Sequence, residues 1–333
     1  MISCLRGVGV EVVERHESVW EGTREAWRSG PLTALRLARA ELRLLRRQAE
    51  RYDAVIVGYP GHFDLPAAAR AARGAPVIFN PLVSLADTLV SDRARFRAGS
   101  LPARALELVD RRALRAADVV VADTEQHARF LAELADLERV EVCFVGAEER
   151  LFQPGRTGAF THALFVGKLI PLHGLETVLE AARLASEIPF RIVGSGQLDA
   201  LLERRPENVE WVPWVEYEQL GGELHAAGAA LGIFGRSEKA ARVIPNKAFQ
   251  AIACGTPLVT ADTPAARELL ADGESALLVP PGDPPALATA LRRLASDDAL
   301  RARIAEGGLT AYRRQASEEV LGRRWLSILE RAR

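Results

Sequence analysis

Apolar and polar positions along this chain follow two periods. Short aliphatic and β-branched runs, apolar on both faces, predict strands at residues 8–13, 54–58, 77–80, 119–122 and 140–145. A second series follows at 163–167, 190–194, 209–212, 229–234, 257–260 and 276–279. Between them, apolar residues three and four apart predict amphipathic helices, among them 32–51, 103–117, 125–135 and 175–186. This alternation predicts parallel sheets joined by right-handed crossovers. Segment 310–333 reads as one long helix with Leu321, Trp325, Ile328 and Leu329 on a stripe. The Pro/Gly stretch from Gln153 to Gly158 marks a boundary between the two series. The expected architecture is α/β, with two doubly wound, Rossmann-like domains facing across a cleft. The first spans 1–153 and the second 154–309, with the helix at 310–333 packing back on the first.

The opening is unusual for such a fold. Residues 2–6 read as the end of a helix closed by Gly7. A doubly wound domain opens on a central strand, so the first strand is expected to be missing and the natural start to lie upstream. Such a strand would bury several side chains at roughly 1.5–3 kcal/mol each, against a domain stability of about 5–15 kcal/mol.

Composition narrows the classes. The chain has 333 residues, 48% hydrophobic and 26% charged, with a net charge of −1, as expected of a two-domain globular protein. No global basic field points to nucleic acid. No apolar run reaches the roughly 18–20 residues of a membrane span, and no leader pattern opens the chain, so a cytoplasmic location is expected. The cysteines, Cys4, Cys143 and Cys254, are odd in number and unclustered, which suits reduced thiols and supplies no zinc spacing. The arginine-rich stretches 43–51 and 111–115 read chiefly as solvated stripes and are also compatible with peripheral membrane contact. Lysine is scarce: only Lys168, Lys239 and Lys247 occur among 43 basic residues.

Two of those lysines lie in segments suited to anions. In the first, a strand ends at Gly167, a loop carries Lys168 and His173, and a helix opens near Gly174. Helix N-termini present free amides and partial positive charge, so they hold phosphates. The second runs from Arg242 through Asn246, Lys247 and Gln250 to Gly255, again with a helix opening beside cations. Two such openings in one domain suggest a diphosphate, whose departure without a metal needs cations and helix amides. Gly194, Gly196 and Gln197 follow another strand. They read either as a tight turn or as a close approach to a base or ribose.

In the first half, His62 and Asp87 lie on loops at the carboxyl ends of strands, which face the cleft in this architecture. His62 is a candidate base, and Asp87 a candidate for binding an acceptor or stabilising positive charge. Asp123-Thr124 reads as a helix N-cap.

Taken together, these segments resemble the retaining, GT-B-fold glycosyltransferases of family four, the group 1 type. Phe144–Pro154 is similar to the family's hinge entry, Val166–Leu175 to its phosphate loop, and Thr263–Val279 to its closing strand. The resemblance implies a nucleoside-diphosphate-sugar donor on the second domain, no metal cofactor, and transfer with retention to an acceptor that is a lipid, a polysaccharide or a small molecule. It implies that Lys168 holds the diphosphate, with His173 where a second basic residue is usual. It places Gly194, Gly196 and Gln197 by the base. The family's paired glutamates fall on Arg242 and Gln250, and Glu238 is a substitute for the first. Two further readings stay open: a catalytically impaired nucleotide-sugar binder or partner subunit, and a nucleotide-sugar epimerase. An NAD enzyme lacks its fingerprint.

Overall fold

The computed structural model describes residues 1–17, 19, 31–46, 50–155 and 158–333, with the side chains of 31–34 left out. Residues 47–49 of the predicted helix 32–51, and of the arginine stripe 43–51, lie outside the described residues. So do Arg156 and Thr157 of the predicted boundary.

The amino-terminal half runs α1 (Ile2–Gly7), α2 (Pro31–Arg46), β1 (Val55–Val57), α3 (Leu65–Ala72) and β2 (Val77–Phe79). A π-helical turn, Asp87–Asp92, precedes α4 (Leu101–Ala116), β3 (Val119–Ala122), α5 (Glu125–Ala135) and β4 (Glu141–Val142). Its parallel sheet has the sequential order β1-β2-β3-β4. Leu65, Ala68, Leu114 and Leu131 of the crossover helices pack with Val57, Phe79 and Val120 in one core. The alternate residues Ile78 and Val121 pack instead with Cys4 and Leu5 of α1.

The sequence predicts five strands in this half, and the described residues form four. Residues 8–13 form no strand. Val10 and Val12 pack beside α1, so their alternation records burial and not strand pairing.

The carboxy-terminal half begins with β5 (Ala163–Val166), the turn Pro171–His173, α6 (Leu175–Leu184), β6 (Phe190–Val193) and β7 (Val209–Val212). Next come α7 (Leu220–Ala226), β8 (Ala229–Leu231), α8 (Glu238–Arg242), α9 (Asn246–Ala253) and β9 (Leu258–Ala261). Then follow β10 (Leu277–Val279), α10 (Pro284–Ser296), α11 (Asp298–Gln315) and α12 (Glu318–Ala332). The parallel sheet has the order β10-β9-β8-β5-β6-β7. The winding reverses between β5 and β8, and in open α/β sheets the crevice for ligands forms at such a point.

The predicted single helix 310–333 is two helices. The chain breaks after Gln315, and the Ser317 hydroxyl caps α12 by accepting from the Val320 amide. The break lets Tyr312 of α11 stay in the carboxy-terminal core, while Leu321, Trp325 and Ile328 of α12 cover the amino-terminal sheet beside α1. The chain therefore crosses between halves twice. The Glu149 carboxylate ties the crossings by accepting from the Tyr312 hydroxyl at 3.2 Å and the Glu318 amide at 2.9 Å.

One pH effect follows from the packing of α2 on α3. Burial and a hydrogen-bonded carboxyl neighbour, Asp64, push the Glu41 carboxyl from 4.5 up to about 8. The folded chain thus holds a proton there that the unfolded chain releases, and stability falls as pH rises from 4.5 to about 8. Thermal melts across this window should show that fall, and Glu41→Gln should flatten it. A variant with the wild-type slope would remove the pair as its cause.

Candidate functional site

The site is built at the carboxyl ends of β5 and β8. Gly167 ends β5 with φ +137°, a backbone angle that favours glycine, and turns the chain into the loop carrying Lys168. Lys168 is exposed there. The loop closes on itself where the His173 Nδ1–H donates to the Lys168 carbonyl at 2.6 Å. Burial, and then the charge of Lys247, push the His173 imidazole well below the usual histidine range, so the ring stands neutral at physiological pH.

Lys247 sits in the first turn of α9 and is 9% exposed. Its ammonium group lies 3.5 Å from the centre of the Phe165 ring. A Cβ on Gly167 would stand 3.3 Å from its Nζ. Among the described residues this nitrogen has no hydrogen-bond partner. Burial alone pulls it well below the usual lysine range. A buried, unpartnered amine is costly, and a site retains one where a ligand completes it.

Two helix openings lie close to this amine. Gly174, with φ +68°, precedes α6, and Pro245 precedes α9; neither supplies a side-chain cap to the first-turn amides. Asn246 is exposed at the head of α9. Gln250 lies one turn further on, half-buried. Lys168, His173, Gly174, Lys247 and two uncapped helix ends thus gather around Gly167. The arrangement suits an anion of more than one charge.

The glycines after β6 have another use. A Cβ on Gly194 would stand 2.0 Å from the Gly167 carbonyl, and one on Gly196 2.6 Å from the Leu169 carbonyl. They let neighbouring loops touch, and Gln197 points to solvent. The tight-turn reading therefore accounts for glycine at Gly194 and Gly196.

Arg242 does not join the anion cluster. It pairs with Asp87 across the cleft, Nη2 to Oδ2 at 3.0 Å, and lies 4.1 Å from the Phe130 ring centre. Arg242, expected at the diphosphate, is thus held by Asp87, expected to bind an acceptor or to stabilise positive charge, and each neutralises the other. Glu238 has a side chain 94% exposed and meets only the far edge of Arg242, at 3.4 Å.

His62 is also corrected. Its ring is buried, with Nε2 3.1 Å from the Asp110 carboxylate and Nδ1 against the Pro60 carbonyl. Phe79 meets it edge-on at 5.2 Å. With both nitrogens engaged, it holds a loop and cannot take an acceptor's proton. The N-cap reading of Thr124 agrees with the structure, its hydroxyl accepting from the His127 amide at 3.0 Å.

Sequence reasoning missed Asp110, which accepts from the Ser84 hydroxyl at 2.7 Å and from the Leu85 and Ala86 amides at 2.9 Å. Its periodic place on α4 gave no signal. It also missed Lys239, whose Nζ donates to the Thr88 hydroxyl at 2.8 Å across the cleft. Glu268 was missed as well; its carboxylate accepts from the Glu125 and Gln126 amides at the head of α5.

Two parallel-sheet α/β domains with an anion-receptive crevice in the second have the architecture of the GT-B fold. Residues 161–297 match the family described as glycosyl transferases group 1, and residues 4–148 the glycosyl transferase 4-like domain. The chain belongs to the group 1 glycosyl transferases. The D-inositol 3-phosphate glycosyltransferase of Nocardioides sp. is 29% identical over 98% of this chain and 77% of its own length. The chain spans less than two thirds of the length of several other proteins of that name. Sucrose-phosphate synthase of Thermosynechococcus elongatus shares the fold with a TM-score of 0.72 and 18% identity, over 91% of this chain and 82% of that one. HepE of Anabaena, solved in complex with UDP-glucose, has a TM-score of 0.68 and 17% identity, over 91% and 84% of the two chains.

Proposed function

We propose that this chain transfers a sugar from a nucleoside diphosphate sugar, such as the UDP-sugar that HepE holds, to an acceptor hydroxyl with retention at the anomeric carbon. The observation that carries the reading is the buried, unpartnered amine of Lys247 beside Gly167. The diphosphate would lie over Gly167, accepting from Lys247, Lys168 and the first-turn amides of α6 and α9. The bond from the anomeric carbon to the diphosphate oxygen breaks, and one to the acceptor oxygen forms on the same face. The acceptor's proton passes to the departing diphosphate. These cations and helix ends would neutralise the leaving group without a metal ion.

A neutral His173 offers no second charge in the loop. The ammonium of Lys247 approaches the same place from α9 and takes over that position. The inositol phosphate named for the Nocardioides relative makes a phosphorylated polyol the first acceptor to try.

Calorimetry with UDP, GDP and ADP should show one of them binding, and Lys168→Ala should weaken it by about 1 kcal/mol or more. If no nucleoside diphosphate binds, the proposal fails. The Arg242–Asp87 pair favours a second reading, a binder without turnover. Donor consumption in the presence of acceptors separates the two.

A further inference from the structure

Two helices of the amino-terminal half turn leucine outward. On α4 the inner side, with Ala103, Asp110, Ala113 and Leu114, is buried. On the other side Leu101, Arg104, Leu108 and Arg111 recur every three or four residues and all are exposed, Leu101 by 81%. Helix α2 repeats the pattern: Leu35, Arg39, Leu42 and Arg46 recur at the same spacing and all are exposed. A surface helix ordinarily turns its leucines to the core. Helices α3 and α4 share one core on one face of the sheet, and α2 packs on α3, so a single helical layer carries both stripes.

The charge of this layer is one-sided. Helices α2, α3 and α4 hold nine arginines and three carboxylates. None of the three carboxylates is exposed: Asp110 is buried, Glu107 is half-buried, and burial beside Asp64 pushes Glu41 up to about 8. Arg43 pairs with Glu17 at 3.6 Å. Arg39 and Arg46, like Arg104, Arg111 and Arg112, have no ion pair among the described residues. The whole chain carries −1, so the layer is a local positive field.

We infer that this layer is a docking surface for a bilayer containing anionic phospholipid. Two features select that occupant. The arginines meet lipid phosphates, while the leucines between them enter the boundary with the acyl chains. A nucleic acid would engage the arginines and leave the leucines in water. The layer also reaches the cleft rim: Leu101 opens α4 and the exposed Phe63 stands just before α3, both on the side of the sheet where β1 and β2 end. Docking there sets the rim of the cleft at the bilayer surface. The inference is independent of the donor reading, since none of these residues belongs to the anion cluster.

The test is sedimentation of the full chain with vesicles of phosphatidylcholine, alone or with phosphatidylglycerol. Wild type should sediment with the anionic vesicles, stay in solution with the neutral ones, and be released by salt. The triple variant Arg104→Gln, Arg111→Gln, Arg112→Gln should bind roughly 10- to 100-fold more weakly. Leu101→Ser with Leu108→Ser should weaken binding about tenfold or more. These side chains are exposed, so melting temperatures should match wild type. Arg39→Gln with Arg46→Gln should weaken binding as well, and this pair decides the matter if an α4 variant fails to fold. A wild type that ignores anionic vesicles overturns the inference, and so does a leucine variant that binds them as wild type does. Binding of duplex DNA that the arginine variant loses, in a protein that ignores vesicles, overturns it in favour of a nucleic-acid surface.

Discussion

Lys247→Met is expected to lose nucleoside diphosphate binding and, in the same protein, to raise the melting temperature of the unliganded fold. The two effects share one cause. The Lys247 amine is buried over the Phe165 ring with no partner in the described residues, so the unliganded site carries an unmet donor. Such a group costs about 1–3 kcal/mol, and an unbranched apolar side chain of similar volume removes that cost. The gain should appear as a rise of about 2–4 °C per kcal/mol. Binding should fall by roughly 10- to 100-fold, since the lost contact is a charged one.

The pH dependence gives a second reading of the same residue. Burial holds the amine below the ordinary lysine value of 10.5 in the folded state. Between the folded value and 10.5 the unfolded chain binds the proton that the folded chain has released, so wild-type stability rises with pH through that window. The methionine variant should lack this rise, and its advantage should shrink toward pH 10.5. Melts and calorimetry at several pH values check both parts. A methionine variant that melts lower and still binds the nucleotide would falsify the assignment.

Asp110→Ala is expected to be the most destabilising single change in the amino-terminal domain, by about 3–5 kcal/mol. Its carboxylate is fully buried and serves the His62 ring, the Ser84 hydroxyl and two amides at once. Removing it leaves those donors without an acceptor. Both cleft loops of the domain, the one after β1 and the one after β2, are anchored there. Loosening should therefore spread to Asp87. His62→Phe removes one of the donors and should cost less, about 1–2 kcal/mol. Urea unfolding of both single variants and the double variant measures the coupling. An Asp110→Ala midpoint close to wild type would show that these loops are held by something else.

What the sequence by itself determined was the succession of elements and the place of the anion loops. Strands buried on both faces and helices with one apolar stripe leave local patterns, and most predicted elements lie within a few residues of their observed ends. The helix openings at Gly174 and Asn246 and the lysine beside each were equally local. Pattern alone reports burial and not the partner, so the valines of residues 8–13 read as a strand although they pack beside α1 without pairing. The break at Ala316 was hidden because the apolar stripe continues on both sides of it.

Only the tertiary structure decided which charges meet. Arg242 and Asp87 lie 155 residues apart in sequence, and each looked free until the domains faced one another. His62 looked like a loop base until Asp110 closed on it from α4. Side-chain charge is readable from a sequence; whether that charge is neutralised, buried or left open to a ligand depends on distances that only the packed domains establish.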